Sequence, residues 1–214
     1  MTDTPRSNQD AARCAKWIFA AILSAMAAPS TAAALTADKG KGEATLAAIL
    51  PPSVGKIACF SRTYDAPHLQ QHPHQQVTAM TFELRYVQAP TIDARRYIFG
   101  MSAKLRTRPD TLYTSGWCET NINGAFPGGN LCVVACDGGG VSIQKVPHAE
   151  ALYVHLQTPA LGIRMGTACD AQNERSTAGI MLEPGADDKI FRLEGAPAAR
   201  CRRLERAEKL DRAR

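Results

Sequence analysis

The chain has 214 residues, 45% of them hydrophobic and 21% charged, with a formal net charge of +5 and seven cysteines. That length and apolar content suit one ordinary globular domain with a packed core, or two small ones. The positive excess is local: Leu35 to Ala199 carries fifteen basic and fifteen acidic residues, which removes the case for a nucleic-acid-binding body.

In chain order, Arg13 and Lys16 precede an apolar run from Trp17 to Ala28, followed by Pro29-Ser30-Thr31-Ala32-Ala33-Ala34. A basic start, a short apolar stretch and a small-residue site describe a secretory signal peptide spanning residues 1–34. The run falls short of the roughly 18 to 20 apolar residues needed to cross a bilayer, so no membrane span is expected after cleavage. Residues 35–55 form a lead-in: Asp38 to Leu50 is rich in Ala, Lys and Glu, and Pro51-Pro52 stops it as a short helix.

Ile57-Ala58-Cys59-Phe60 is the first strand candidate. Asp65 then reads as a helix N-cap, with Pro67 in the first turn and Pro73 as the stop, giving a compact helix around His68 and His72. From Val77 the period changes to two. Met80, Phe82, Leu84 and Tyr86 share one face, with Thr81, Glu83 and Arg85 on the other; Tyr97, Phe99, Met101, Ala103 and Leu105 repeat the pattern. Thr111 to Glu119 gives another strand. Leu131–Cys136 and Val141–Val146, joined by Asp137 and three glycines, read as a β-hairpin. Leu152–Gln157, Leu161–Met165, Ala178–Leu182 and Lys189–Leu193 follow as short strands separated by Pro and Gly. The fold class is mainly β: an antiparallel sandwich or barrel stapled by disulfides, with short N-terminal and C-terminal helices.

Removing residues 1–34 discards Cys14 and leaves six cysteines, an even number suited to an oxidising compartment. Cys132 and Cys136 lie four apart, so on one strand they share a face and each would bridge to a different neighbour. Cys59 and Cys201 lie at the two ends of the domain, and Cys118 and Cys132 flank a Gly- and Asn-rich loop. The expected bridges are therefore Cys59–Cys201, Cys118–Cys132 and Cys136–Cys169. Residues 56–201 form the disulfide-stabilised β domain. Residues 202–214 form a charged helix or tail, with ion pairs such as Glu205 with Lys209, that adds little to folding.

Three groups have residue types suited to chemistry. His68, His72 and His74 offer three nitrogens near one helix end, a candidate zinc or copper site; no acid lies between them as in His-Glu-x-x-His, so the zincin base is missing. Asp187-Asp188 reads as an acidic turn before a strand or, less simply, a calcium site. Gly138-Gly139-Gly140 leads into strand residues and not into a helix, which excludes a phosphate loop. No Gly-x-Ser-x-Gly occurs, so no catalytic residue is assigned.

The signal sequence, the Cys136-Asp137-Gly138-Gly139-Gly140 turn, Asp187–Leu193 and the late Cys201 together resemble bacterial secreted proteins of no assigned activity. The resemblance implies a place in the cell envelope and no reaction. The reading reached from sequence is an exported, periplasmic or secreted, non-enzymatic β domain that binds a protein, glycan or envelope component and needs no cofactor. A metal-binding envelope protein using His68, His72 and His74 is the second reading, and a hydrolase without a recognisable motif the third.

Overall fold

The structure is a computed structural model that describes residues 45–88, 94–120, 129–135, 137–156, 162–166, 179–202 and 204. The expected signal peptide, the start of the lead-in and the ion-paired tail beyond Leu204 lie outside the described residues. So do Cys136 and Cys169, and with them that bridge.

Eight antiparallel strands close into a barrel: β1 (Ile57–Thr63), β2 (Val77–Gln88), β3 (Arg95–Leu105), β4 (Thr111–Thr120), β5 (Asn130–Val133), β6 (Gly140–Lys145), β7 (Ala151–His155) and β10 (Ile190–Gly195). Each strand pairs with the next, and β10 returns to β1, so the sheet has no free outer strand. Two short strands between β7 and β10, β8 (Ile163–Met165) and β9 (Ile180–Leu182), form a separate two-stranded sheet. This settles sandwich against barrel, and every strand expected from sequence is present.

The alternation in β2 and β3 is what fills the barrel. Met80, Phe82 and Leu84 register with Ala103, Met101 and Phe99, and all six are buried. The Phe82 and Phe99 rings stack with centroids 5.5 Å apart. Phe60 from β1, Ile143 from β6, Val154 from β7 and Phe191 from β10 join the same cluster. The interior is therefore a packed core of side chains.

One end of the barrel is closed by a helical turn at residues 45–49 (α1), whose Leu46 and Ile49 join the core. Lys145 Nζ donates to Ala48 O at 3.0 Å, and Tyr97 Oη donates to Leu50 O at 2.8 Å, which satisfies the carbonyls left open at the helix end. At the other end sits α2 (Ala66–Gln71), with Asp65 as N-cap accepting from His68 N at 2.9 Å, as the sequence indicates. Arg106 ties α2 down by donating to the carbonyls of Leu69, His72 and Gln75.

The central hairpin forms with Cys132 opposite Val141, but its first strand stops at Val133 and residues 134–135 already belong to the turn. The expected strand Leu131–Cys136 thus ends at Val133 among the described residues. Asp137 (φ 55°) and Gly139 (φ 68°) take the left-handed conformation that ends the strand early. β8 runs beside the shortened hairpin: Gly140 N donates to Gly162 O at 3.0 Å and Arg164 N to Gly138 O at 2.7 Å. Gly166 N reaches Tyr113 O on β4 at 2.7 Å.

Cys118 and Cys132 are directly opposed on β4 and β5 and form a disulfide inside the barrel. Cys59 and Cys201 form the second, which fastens a helix at residues 198–202 (α3) to the outer wall. Both pairings match the expected ones.

Candidate functional site

The outer wall of β2, β3 and β4 is read most easily as rows running across the strands. With inward side chains fixed by the core, the outward residues align as Ala79–Lys104–Thr111, then Thr81–Ser102–Tyr113, then Glu83–Gly100–Ser115. The first two rows are small or hydroxyl-bearing apart from one lysine. The third row is where α3 crosses.

That crossing has a definite cause. Cys59 registers with Glu83, so a disulfide from Cys59 to Cys201 places α3 beside the third row. Gly100 lets the chain come close: a Cβ added there would lie 3.3 Å from Leu204 Cβ. Leu204 is 4% exposed and Cys201 fully buried, and the two form a small outer core with Cys59, flanked by Tyr113 and Ala196. Leu204 is thus an anchor, against the expectation that residues beyond Cys201 contribute little. Glu83 is buried in this region and paired with Arg85 on the same strand face.

Because α3 covers the third row and leaves the first two open, a cleft of about 380 Å³ remains between them. Thr81, Ser102, Lys104 and Tyr113 contribute to the floor; Arg200 and Leu204 from the α3 segment form a wall. Ser102 lies deep, at 8% exposure, while Lys104 and Arg200 are solvent-exposed. Among the described residues no carboxylate lines the cleft, and neither cation has an ion-pair partner. Every polar side chain in it can donate a hydrogen bond, through hydroxyl, ammonium or guanidinium groups. The volume falls within the usual range for small-molecule sites.

The histidines singled out from sequence are arranged differently. His68 and His72 stack on each other with ring centroids 4.4 Å apart, and Tyr64 stacks on His68 at 4.7 Å. His68 Nε2 is 3.0 Å from Gln75 Oε1, and His72 Nδ1 stands 4.0 Å from Asp187 Oδ1. His74 is exposed, and its backbone N–H, not its ring, is engaged, donating to Asp187 Oδ2 at 3.0 Å. Among the described residues no three potential ligands converge as a metal would require.

Asp187 and Asp188 act on the backbone that enters β2. Asp188, 2% exposed, accepts from Gln76 N at 2.6 Å and Val77 N at 3.3 Å. Burial pushes its carboxyl above the usual range, while those two N–H groups pull it down. Tyr64 is pushed up to about 12 by burial, against the pull of Arg62. This end of the barrel is a hydrogen-bonded closure in which the acidic turn accepts the backbone N–H groups of residues 74, 76 and 77.

The floor of the cleft was half visible in the sequence. Thr81 appears there as an outward residue of β2; Ser102 and Lys104 occupy the corresponding outward positions of β3. What the sequence lacked was the path of α3 over the third row, which the expected Cys59–Cys201 bridge alone does not set.

No family model matches the chain, and neither a curated protein nor a solved structure matches it.

Proposed function

We propose that this protein is an exported, non-enzymatic binding domain whose ligand is a glycan of the cell envelope, held in the cleft between α3 and the first two outer rows. The observation that carries the reading is the cleft itself: a concave, hydroxyl-lined surface built on rigid strands and walled by a helix covalently fixed in place. Saccharides are recognised by hydrogen bonds to their hydroxyls with an aromatic or apolar edge nearby, and Thr81, Ser102, Tyr113 and Leu204 supply both kinds of contact. The disulfides agree with export, since such bridges persist in oxidising compartments. A packed interior leaves the outer wall as the natural place to bind.

Thr111 lies on the first row, lines the cleft and is exposed, so a large side chain there fills the site without entering the core. Purified protein is expected to co-sediment with insoluble envelope glycan, and Thr111→Trp to do so much less at unchanged stability. Equal co-sedimentation of the two would overturn the cleft as the binding surface.

A further inference from the structure

We infer that the cleft selects a sugar bearing an oxyanion, a phosphoryl or carboxylate group, held between Lys104 and Arg200. This rests on the reading of the cleft as a glycan site and narrows its ligand. The two cations come from different elements: Lys104 from the first row of the floor, on β3, and Arg200 from the helix that forms the wall. Between them lies the Thr81–Ser102–Tyr113 row, which carries hydroxyls and no acid.

Two cations lining one cleft favour an anion there, and where a carboxylate is close the arginines of this protein pair with it, as Arg108 does with Asp110 and Arg192 with Glu194. Among the described residues Lys104 and Arg200 have none, and no carboxylate lines their cleft. An anion in the cleft would be attracted to both cations and accept hydrogen bonds from them. Arg200 offers the forked donor set that matches a carboxylate or phosphate edge, and Lys104 a mobile point charge. The hydroxyls beside them suit the rest of a sugar ring. A neutral glycan would satisfy the hydroxyls and leave the two charges unmatched.

The probes are glucose, glucose 6-phosphate, glucuronate and inorganic phosphate, titrated into the purified protein and followed by amide chemical shifts. Glucose 6-phosphate and glucuronate are expected to bind at least about tenfold more tightly than glucose. Lys104→Gln and Arg200→Gln should each weaken the charged sugars about tenfold and leave glucose unchanged, the loss expected for a charge-assisted hydrogen bond. The advantage of the charged sugars should shrink as salt rises from 0.05 to 0.5 M, because both cations are exposed.

Equal binding of glucose and the charged sugars, abolished by Thr111→Trp, would overturn the oxyanion and leave the glycan reading intact. Inorganic phosphate binding as tightly as glucose 6-phosphate would overturn the sugar-borne form of the ligand. Binding that Thr111→Trp leaves unchanged would overturn both readings together, as would no binding by any probe combined with unchanged glycan co-sedimentation.

Discussion

Gly100 and Leu204 form the contact on which the cleft's geometry turns. Leu204 is buried on the outside of the barrel, where its neighbours are Cys59, Cys201 and the backbone at Gly100. Truncating a buried leucine removes its transfer free energy and leaves a cavity, so Leu204→Ala is expected to cost about 2 kcal/mol in urea unfolding. Gly100→Val should also destabilise, because even its first carbon would sit 3.3 Å from Leu204 Cβ. The two changes fill and empty the same space. The double variant should therefore be less destabilised than the sum of the single ones, by about 1 kcal/mol, the size expected for residues in contact. Strict additivity of the urea midpoints would show that α3 does not rest on Gly100.

Among the elements, the strands were legible and the way α3 and β8 dress them was not. Met80–Tyr86 and Tyr97–Leu105 announce themselves because a half-buried sheet imposes a period of two on side chains, whatever lies around it. The Asp65 cap was equally local, since it needs only residues within one turn. Leu204 gave no such signal. The bridge across 142 positions was expected, but it does not say which side chain of a short charged helix turns to the wall, and that is set by the room Gly100 leaves. The end of β5 was misjudged for a related reason, because Val134 and Ala135 suit a strand while the left-handed Asp137 shortens it from the turn side. The arrangement of the histidine cluster was not legible either, because its contacts with Gln75 and Asp187 come from residues outside α2.

β7 carries a pH dependence that belongs to the same scale. His155 registers with Ser142 on β6, is 7% exposed, and its Nε2 has no hydrogen-bond partner among the described residues. Burial lowers its pKa below the ordinary 6.5, so the folded protein holds the ring neutral. A base depressed on folding contributes stability above the unfolded value, and the unfolded chain takes up the proton first as pH falls. Stability should thus decline below about pH 6.5. His155→Phe should remove that part of the decline between pH 8 and pH 5.5, measured from urea midpoints. An unchanged profile in the variant would assign the decline to other groups.

At the scale of the whole molecule, the barrel closes through its least extensive pairing. β1 pairs with β2 along Ile57–Thr63, but with β10 only at Phe60↔Gly195 and Ser61↔Glu194. Beyond those pairs Arg62 Nη1 reaches Arg192 O at 3.4 Å, a side chain standing where a ladder bond would be. The Cys59–Cys201 bridge spans this seam, because Cys59 is on β1 and Cys201 lies a short way past the end of β10. Ala196 N donates to Cys59 O at 2.8 Å and reinforces the same crossing. One covalent bond thus reinforces the seam of the barrel, encloses most of the domain in a single loop and fixes the wall of the cleft. Chain-entropy reasoning assigns about 5 kcal/mol to a loop of this length and about 3 kcal/mol to one the length of Cys118–Cys132. Replacing Cys59 and Cys201 together by Ala should lower unfolding stability by about 3 to 5 kcal/mol, read from urea denaturation. Under native conditions the remaining fold should keep its strand signal in circular dichroism while glycan co-sedimentation is lost, since α3 is no longer held over the third row. Undiminished binding by that variant would show that the bridge stabilises the barrel without building the site.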